Sequence, residues 1–404
     1  VSLSPIVVLK SDGTPQPFPT LEAACAVAQD GNVIELRYNG PRTESPVRIR
    51  NKVTIRAGKG YHPVIEFVPK DIPASGSETR MITLSGGSLD LVDVGVLMVV
   101  KEVINTDAWV LISTKRTDAV RLQRVAITVQ NPTRKSAAVL EFRGGASRMV
   151  SDMEMPGGTA NQMATSMTVR LADSMVRGGA DLFHIKTMLT ARLDVENCLL
   201  ALEGTVLRQT GSMDVPEKQT MLSLRLYQLT AVVNSGLIVM DVGDVPRQLG
   251  PVAIDAQNNI FTTVTTVNKP VEPLISMTGN EPADDLRKLI AWSGQKNFYD
   301  GFQAFWRTNT VLDGPKSSVW DFEEWKFRLD SDEIDPHASI VLWRQPWSLR
   351  PLHELTPADF ALDETAMGNP ALSAANNGED AGVNLSTLEK LNVSVRADVV
   401  DHSN

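Results

Sequence analysis

The chain has 404 residues, of which 42% are hydrophobic and 22% are charged, with 39 Lys and Arg against 48 Asp and Glu. This composition is typical of a globular protein and excludes an intrinsically disordered chain. It lacks the basic excess that phosphate-backbone binding requires, so nucleic acid is not an expected partner. Residues 281–404 hold 21 Asp and Glu against 11 Lys and Arg, so the acidic excess lies in this last part.

Residues 18–67 predict a short helix, about residues 19–29, followed by four short strands. Thr20 is expected to cap the helix, and Asp30-Gly31 to end it. A helix laid over the first of many strands would cover the open end of a solenoid, whose terminal repeat lacks a neighbour. The apolar positions at helical spacing are Leu21, Ala24, Cys25 and Ala28. The strand residues expected to point inward are Ile34, Leu36, Val47, Ile49, Val53, Ile55, Ile65 and Phe67.

A pattern of alternating apolar and polar residues then recurs six times, starting at Leu89, Val120, Val169, Leu193, Leu224 and Ile254. The spacing between copies fits coils of three short strands with insertions. The fifth residue of every copy is polar, which predicts a structural ladder of side chains at a turn. An acidic Ca²⁺-binding column is the alternative, but basic and amide residues interrupt it. The ladder residues are Asp93, Arg124, Asp173, Asn197, Gln228 and Asn258.

A second apolar stretch follows each copy, as in residues 199–207 and 231–240. Glycines such as Gly204 and Gly236 precede the next strand and suit tight corners. Because the Asn-Gly and Asp-Gly loops of tight hairpins are scarce, the pattern favours an all-β parallel β-helix over a sandwich. Within such a solenoid we expect Cys25 and Cys198 to be separate buried thiols.

The chain divides by composition into three parts. Residues 1–280 are expected to form the β-helix, with loops extruded over 144–165 and 211–219. Residues 281–368 would contain the last coils with helical, Trp-rich insertions, because six of the seven Trp lie between positions 292 and 347. Residues 369–404 form a polar tail.

A search for catalytic motifs assigns no catalytic residue. The chain has no Gly-rich phosphate loop, no nucleophile elbow and no Cys-x-x-Cys, and its five His do not occur at metal-ligand spacing. The strand and loop motifs of a protein kinase are also missing. Neither a metal nor a cofactor is therefore expected.

Two surfaces remain as candidate sites. The first joins carboxylates to aromatic rings, an arrangement that suits glycan binding or a glycosidase. Its residues are Tyr299, Trp306, Trp320, Glu323, Glu324 and Trp325. The alternative for this segment is an amphipathic helix that buries Phe322 and Trp325 and leaves the carboxylates in solvent.

The second candidate is a basic face on the early strands. Polysaccharide lyases use a basic side chain to abstract a proton on such a face, although outward Arg residues are also ordinary solvated surface. Its residues are Arg48, Arg50, Lys52 and Arg56.

Three motifs resemble known proteins. The first, Phe18-Pro-Thr-Leu-Glu-Ala-Ala24 through Val53-Thr-Ile-Arg56, resembles the start of right-handed β-helix domains of the pectin-lyase-like type. Together with Asn297-Phe-Tyr-Asp-Gly301 and Gly378-Glu-Asp-Ala-Gly-Val-Asn384, it resembles the C-terminal region of planctomycete serine/threonine protein kinases over about residues 18–390. The resemblance implies a parent polypeptide with a cytoplasmic kinase, a membrane span and this region on the far side. It brings no catalytic residue to this chain.

These observations predict a non-catalytic binding or sensory module that recognises a glycan or a cell-envelope partner outside the cytoplasm. The alternatives are a divergent polysaccharide lyase or glycoside hydrolase, and a structural spacer or oligomerisation element. No run of eighteen apolar residues is present, so a membrane span is not expected within the 404 residues.

Overall fold

The computed structural model describes residues 4–69, 78–104, 106–115, 117, 119–144, 167–212, 220–242, 248–264, 272–310, 316–328 and 332–391. The two predicted loops, 144–165 and 211–219, lie outside the described residues except at positions 144, 211 and 212.

Short strands make up most of the described chain. In chain order they are β1 (Ile6–Leu9), β2 (Pro15–Phe18), β3 (Asn32–Leu36), β4 (Gly40–Glu44), β5 (Val47–Ile49), β6 (Lys52–Ala57), β7 (Pro63–Phe67), β8 (Glu78–Ser85), β9 (Ser88–Val92), β10 (Gly95–Val99), β11 (Ala108–Lys115), β12 (Ala119–Gln123), β13 (Ala126–Gln130), β14 (Ser136–Phe142), β15 (Met167–Ala172), β16 (Met175–Gly178), β17 (Asp181–Ile185), β18 (Ala191–Glu196), β19 (Leu199–Leu202), β20 (Leu207–Thr210), β21 (Leu222–Tyr227), β22 (Thr230–Val233), β23 (Ile238–Asp241), β24 (Val252–Gln257), β25 (Ile260–Thr262), β26 (Ile275–Gly279), β27 (Ile290–Gln295), β28 (Phe298–Asp300), β29 (Trp306–Thr310), β30 (Lys316–Trp320) and β31 (Asp332–Ile334).

The strands form three long sheets, and the chain visits the sheets in turn. The first sheet has the order β2-β1-β3-β6-β9-β12-β15-β18-β21-β24-β27-β31, the second β28-β25-β22-β19-β16-β13-β10-β7-β4, and the third β30-β29-β26-β23-β20-β17-β14-β11-β8-β5. Neighbours pair in parallel, apart from the antiparallel pairs that β1 and β30 make at the sheet ends. Strands β3 to β29 form nine coils of three strands each. These coils confirm an all-β solenoid of parallel strands.

The predicted alternation places the core inside the coils. All eight strand residues expected to point inward between positions 34 and 67 are buried. Equivalent residues of successive coils stack directly, as Leu193, Leu224 and Ile254 do in the first sheet. This stacking buries a continuous apolar column, which stabilises each coil through its neighbours.

The six ladder residues lie at the turn between the first and second sheets. All of them have left-handed backbone, with φ between 49° and 58°. Their N–H groups donate to the next coil, as Asn197 does to the carbonyl of Tyr227 at 2.9 Å. Two side-chain pairs connect coils: Arg124 Nη2 donates to Asp93 at 2.8 Å, and Asn197 donates to Asp173 at 2.7 Å.

A second polar column lies one residue further along and is fully buried. Asn259 donates through Nδ2 to Asn297 Oδ1 at 2.8 Å and accepts from the Leu229 N–H at 2.9 Å. Asn297 in turn donates to Glu333 at 2.8 Å. These amides satisfy backbone groups at a turn where no water reaches. The sequence prediction identified the outer column and missed this one.

Helices are few and short among the described residues. They are α1 (Leu21–Val27), α2 (Ala283–Arg287), α3 (Phe322–Arg328) and α4 (Leu385–Leu388), with 3₁₀ helices at Trp347–Leu349, Leu352–Glu354 and Pro357–Phe360. The Thr20 hydroxyl caps α1 by accepting from the Ala23 N–H at 3.2 Å. Cys25 and Cys198 are buried free thiols, and burial raises the pKa of Cys25 to about 12.

Residues 336–391, which we call the C-terminal strap, lie over the outer face of the second sheet. Strap residues Leu352, Leu355 and Phe360 pack with Met175 and Leu199 of that sheet in one buried cluster. Because the strap covers this outer face, second-sheet strands such as residues 199–202 and 230–233 are buried on both sides. That double burial explains the uninterrupted apolar stretches seen in the sequence.

A buried arginine fastens the strap. Arg177 is 3% exposed on the outer face of β16, where it donates to the Leu355 carbonyl and, at 3.0 Å, to the Thr128 hydroxyl. Desolvation lowers the pKa of Arg177 to about 10, while the charge of Asp359 acts in the opposite direction. Asp359 also forms an ion pair of 2.6 Å with Arg350, which connects two points of the strap to each other. We call Arg177 and its bonds to Leu355 and Thr128 the clasp.

Candidate functional site

The predicted aromatic glycan surface does not form. Trp306 and Trp320 stack on each other with ring centroids 5.1 Å apart, and Trp325 and Tyr299 pack at 5.7 Å inside the last coils. All four side chains are buried, so none offers a ring face to a sugar. The aromatic enrichment of this segment therefore serves the core, where large rings fill the end of the solenoid.

The carboxylates of the same prediction lie on α3, away from any described cavity. Glu323 and Glu324 are exposed and form surface ion pairs with Lys326 at 3.0 Å and Arg328 at 3.4 Å. Trp325 is the buried residue of the helix. The amphipathic-helix alternative describes α3, and a glycosidase site at these carboxylates is not supported.

The predicted basic face does not converge on one point. Arg48 is on β5 in the third sheet, whereas Lys52 and Arg56 are on β6 in the first sheet, and Arg50 precedes the turn between them. Arg56 also has an acidic partner that the sequence did not reveal, because it donates to Glu35 at 2.8 Å.

Glu35 is also bound by Arg37 at 2.7 Å. Partial burial acts to raise the pKa of Glu35, but hydrogen bonds from Arg37 and Arg56 outweigh it, and the pKa lies below its usual value. This carboxylate therefore stays ionised and pairs Arg56, which argues against Arg56 as a free base.

A different site lies where the strap meets the second sheet. Two neighbouring cavities of about 440 and 470 Å³ open there, and Trp343 lines both. We call them together the strap groove. Its polar and aromatic lining comprises Gln228, Thr230, Thr262, Thr263, Asp300, Trp343, Gln345, Trp347, Ser348, Phe360, Asp363, Glu364, Glu379, Asp380, Asn384 and Ser386.

The strap folds back on itself to position Trp343. An antiparallel bridge joins Trp343 to Leu362, and the Arg344 N–H donates to the Ala361 carbonyl at 2.8 Å. The Trp343 ring meets Trp347 and Phe360 edge to face, at 6.2 and 6.1 Å. These contacts hold the indole at the wall between the cavities while leaving it partly exposed.

Asp300 lies at the floor of the larger cavity, at the end of β28. Burial raises the pKa of Asp300, and this effect outweighs the hydrogen bond that Thr262 donates at 3.2 Å. The Trp343 indole N–H, whose Nε1 is buried, also lowers this pKa through its interaction with the carboxyl group. The carboxyl and the indole N–H of this cavity therefore interact with each other.

The described lining of the groove carries one sign of charge. Five carboxylates line it, and no Lys, Arg or His does: Asp300, Asp363, Glu364, Glu379 and Asp380. Arg344, outside the lining, pairs with Glu364 at 3.1 Å. One lining residue, Ile340, is an exposed apolar side chain, and the exposed Leu349 and Met367 follow lining residues in the sequence.

A second polar site lies on the outer face of the third sheet. Glu141 is 0% exposed although its neighbours Leu140 and Phe142 point to the core, so its side chain faces outward beneath other side chains. We call this site the third-sheet hollow. Its residues are Arg80, Ser113, Glu141, Arg143, Asp181, His184, Lys186 and Arg208.

Glu141 is bound from several directions. It accepts from Ser113 at 2.8 Å and from Arg80 at 2.9 Å, and Lys186 lies at 2.8 Å. Burial alone would raise the pKa of Glu141, but Lys186, Arg80 and Ser113 lower it to about 2. This carboxylate is ionised at all ordinary pH values and serves to hold the cations in place.

The third-sheet hollow also contains a buried histidine, His184. It lies in register between Glu141 and Arg208, is 8% exposed, and its Nε2 has no hydrogen-bond partner among the described residues. Burial lowers the pKa of His184 to about 4, and the positive charge of Lys186 adds to the effect. The imidazole is therefore neutral at pH 7.

Sequence reasoning did not find either site. The groove residues come from positions 228–386, and only the folded strap brings them together. Two signals were present: Asp300 within the Asn297–Gly301 motif, and the Trp343-Arg-Gln-Pro-Trp347 segment, whose proline separates two rings. In the third-sheet hollow, His184 lies within a strand of buried residues, and no sequence motif marks it.

Across the described ranges, no three His, Cys, Asp or Glu side chains are arranged to hold a metal ion. The helices of the described chain are all too short or too polar to cross a membrane. Comparison with protein-family models finds no match, and no curated protein matches the sequence.

Proposed function

We propose that this chain is a non-catalytic recognition module and that the strap groove binds its ligand, a glycan of the cell envelope. The observation that carries the proposal is Trp343, a partly exposed indole that lines both cavities and lies beside Asp300. Indole faces stack on sugar rings, and carboxylates, amides and hydroxyls bond their hydroxyl groups. The groove supplies all of these in one place.

A glycan array followed by calorimetry tests the proposal. The full chain is expected to bind a defined oligosaccharide, and Trp343→Ala is expected to weaken this binding at least about tenfold, or 1.4 kcal/mol. Tyr227→Ala is the matched control, because Tyr227 is a partly exposed aromatic residue on the first sheet. Thr262→Val replaces a hydroxyl by a methyl group of similar size. It serves as the second test variant if the Trp343 variant unfolds.

The result against the proposal is clear. Ligand binding that survives both Trp343→Ala and Thr262→Val would place the ligand elsewhere on the chain. Silence of the wild-type chain across the array would remove glycan recognition altogether.

A second candidate function is a divergent polysaccharide lyase or glycoside hydrolase, and it is favoured by His184. His184 is neutral at pH 7, and its Nε2 has no hydrogen-bond partner among the described residues. It lies beside Lys186 and Arg208, which is the arrangement of a proton-abstracting base next to cations, although its pKa of about 4 makes it a weak base. Incubation with a panel of polysaccharides would release unsaturated or reducing ends, and His184→Ala would abolish the release. Activity unchanged by that substitution would exclude the hollow as its source.

The parent polypeptide is a further part of the proposal. The resemblance to planctomycete kinases supports a ligand-sensing region attached through a membrane span to a cytoplasmic serine/threonine kinase, and hence an extracytoplasmic location. The gene region upstream of Val1 tests this. A kinase domain followed by an apolar run of about twenty residues is expected, and an unrelated upstream domain would end the idea.

We also propose that the solenoid is a right-handed, pectin-lyase-like β-helix with α1 as its N-terminal cap. Parallel strands joined by crossovers are right-handed in about 98% of cases. Three buried residues of α1 belong to the main core, in support of the capping role. A crystal structure would decide the handedness.

A further inference from the structure

The negative charge of the strap groove indicates a more specific ligand than a neutral glycan. We infer that its ligand is an amino sugar polymer with free, protonated amines, an inference that rests on the proposed glycan function. The described lining contains five carboxylates and no basic side chain. A neutral glycan would leave this negative charge unbalanced, whereas the ammonium groups of an amino sugar would balance it.

The carboxylates are available for such a ligand. Among the described residues, Asp300, Glu379 and Asp380 form no ion pair with a protein cation. Their existing contacts are hydrogen bonds from uncharged donors. Thr262, Trp343 and the Val341 backbone bond Asp300, Gln228 and Asn377 donate to Glu379 at 3.4 and 2.8 Å, and the Ser373 N–H donates to Asp380 at 2.8 Å. Ammonium groups would therefore gain new charge-assisted hydrogen bonds without breaking an ion pair.

Trp343 provides an independent reason to expect a cation. Indole is the best aromatic partner for an ammonium group placed over its face. Trp343 lines both cavities and is partly exposed, so an amine in either cavity can approach the indole.

The spacing of the acids suits a polymer more than a single residue. Asp300 and Asp363 line one cavity, and Glu364, Glu379 and Asp380 line the other. A chain of linked sugars can occupy both cavities and gains from two anchoring points at once. The exposed apolar side chain of Ile340, which lines one cavity, can cover the less polar face of a sugar ring.

A matched pair of probes tests the inference: a β-1,4-linked glucosamine tetramer and its fully N-acetylated counterpart. They share a backbone and differ in charge. With the full chain, calorimetry is expected to show the free amine form binding at least about tenfold more tightly. Its affinity should fall as salt rises, because the carboxylates are solvent-accessible.

Two variants locate the effect. Asp300→Asn and the double variant Glu379→Gln/Asp380→Asn should each lower the affinity for the glucosamine tetramer by about fivefold to tenfold. The double variant Glu323→Gln/Glu324→Gln removes the same charge from α3, outside the groove, and should leave affinity unchanged once salt is present. A thermal melt of each variant confirms that the fold is retained.

The outcomes separate this inference from the proposed function. Equal binding of both tetramers, still dependent on Trp343, would overturn the requirement for amines and leave glycan binding intact. Binding of neither tetramer, with another glycan captured on the array, would also overturn the inference alone. Equal affinity for tetralysine, with the same dependence on Asp300, would show that the groove reads charge on a peptide and not an amino sugar.

Discussion

Arg170 and Arg177 lie seven residues apart in the same coil, yet they occupy opposite environments. Arg170, on the outer face of the first sheet, is about half exposed and pairs with Glu196 at 2.8 Å. Arg177, on the outer face of the second sheet, is 3% exposed beneath the strap. The difference shows that the strap removes the outer face of the second sheet from solvent, whereas the outer face of the first sheet stays solvated. The free energy of unfolding should respond accordingly on the two faces.

The largest effect is expected where the strap packs on the second sheet. Leu355→Ala should lower the free energy of unfolding by about 2–5 kcal/mol, because it leaves a cavity in a dry interface. Leu349→Ala is the control in the same strap, where 86% exposure predicts a change within about 0.5 kcal/mol. Urea denaturation measures both, and equal effects would mean that the strap is not firmly docked.

The free energy of unfolding should depend on pH because of His184 in the third sheet. The pKa of His184 is lowered from 6.5 to about 4 in the folded protein. As pH falls below 6.5 the unfolded chain therefore takes up a proton that the folded chain refuses. Stability should decline between pH 6.5 and 4, by about 3 kcal/mol in total, and this contribution then levels off. His184→Gln should remove this slope, and an unchanged pH profile would show that His184 is not buried neutral.

A smaller loss is expected at the clasp. Arg177→Ala leaves the Leu355 carbonyl and the Thr128 hydroxyl without their donor, at a cost of about 1–3 kcal/mol. Hydrogen exchange should show faster exchange of strap amides such as that of Val383, which bonds Thr230. Faster exchange in the first sheet, with the strap unaffected, would contradict the assigned role.

The smallest effect belongs to the solvated face. Arg170→Ala removes an exposed ion pair with Glu196 and should change stability by about 0–1 kcal/mol. Thermal melts at low and high salt should show that even this difference shrinks as salt screens the pair. A loss as large as that of Arg177→Ala would mean that the two faces do not differ as described.

The repeating parts of the fold were readable from the sequence because they depend on local patterns. Alternation in β18 and β21 marks the inward residues, and a polar residue at each left-handed turn marks the coil period. The helix near the N-terminus also has its signals close together, with Thr20 ahead of an apolar stripe. Each of these features concerns residues only a few positions apart.

The candidate site could not be read in the same way because it depends on distant contacts. A Trp beside carboxylates looks the same whether its ring is buried, as in Trp325, or lines a groove, as in Trp343. The two rings differ in the chain segments that pack against them. The strap, which carries Trp343, contacts sheet residues more than a hundred positions earlier in the chain. The buried amide column at Asn259 was missed for a related reason, since its partner Asn297 is 38 residues away.

The reach of the strap also determines the order in which the protein can be assembled during synthesis. Some of its contacts reach back 118 and 190 positions, as between Asn376 and Asn258 and between Thr387 and Asn197. Since the ribosome delivers the N-terminal end first, the coils can stack on one another long before their cover exists. Until then the second-sheet residues Met175, Leu199, Ala201 and Val232 form an exposed apolar surface. A message cut short before residue 336 would therefore yield stacked coils whose second sheet exposes an apolar face, and such a product is expected to aggregate.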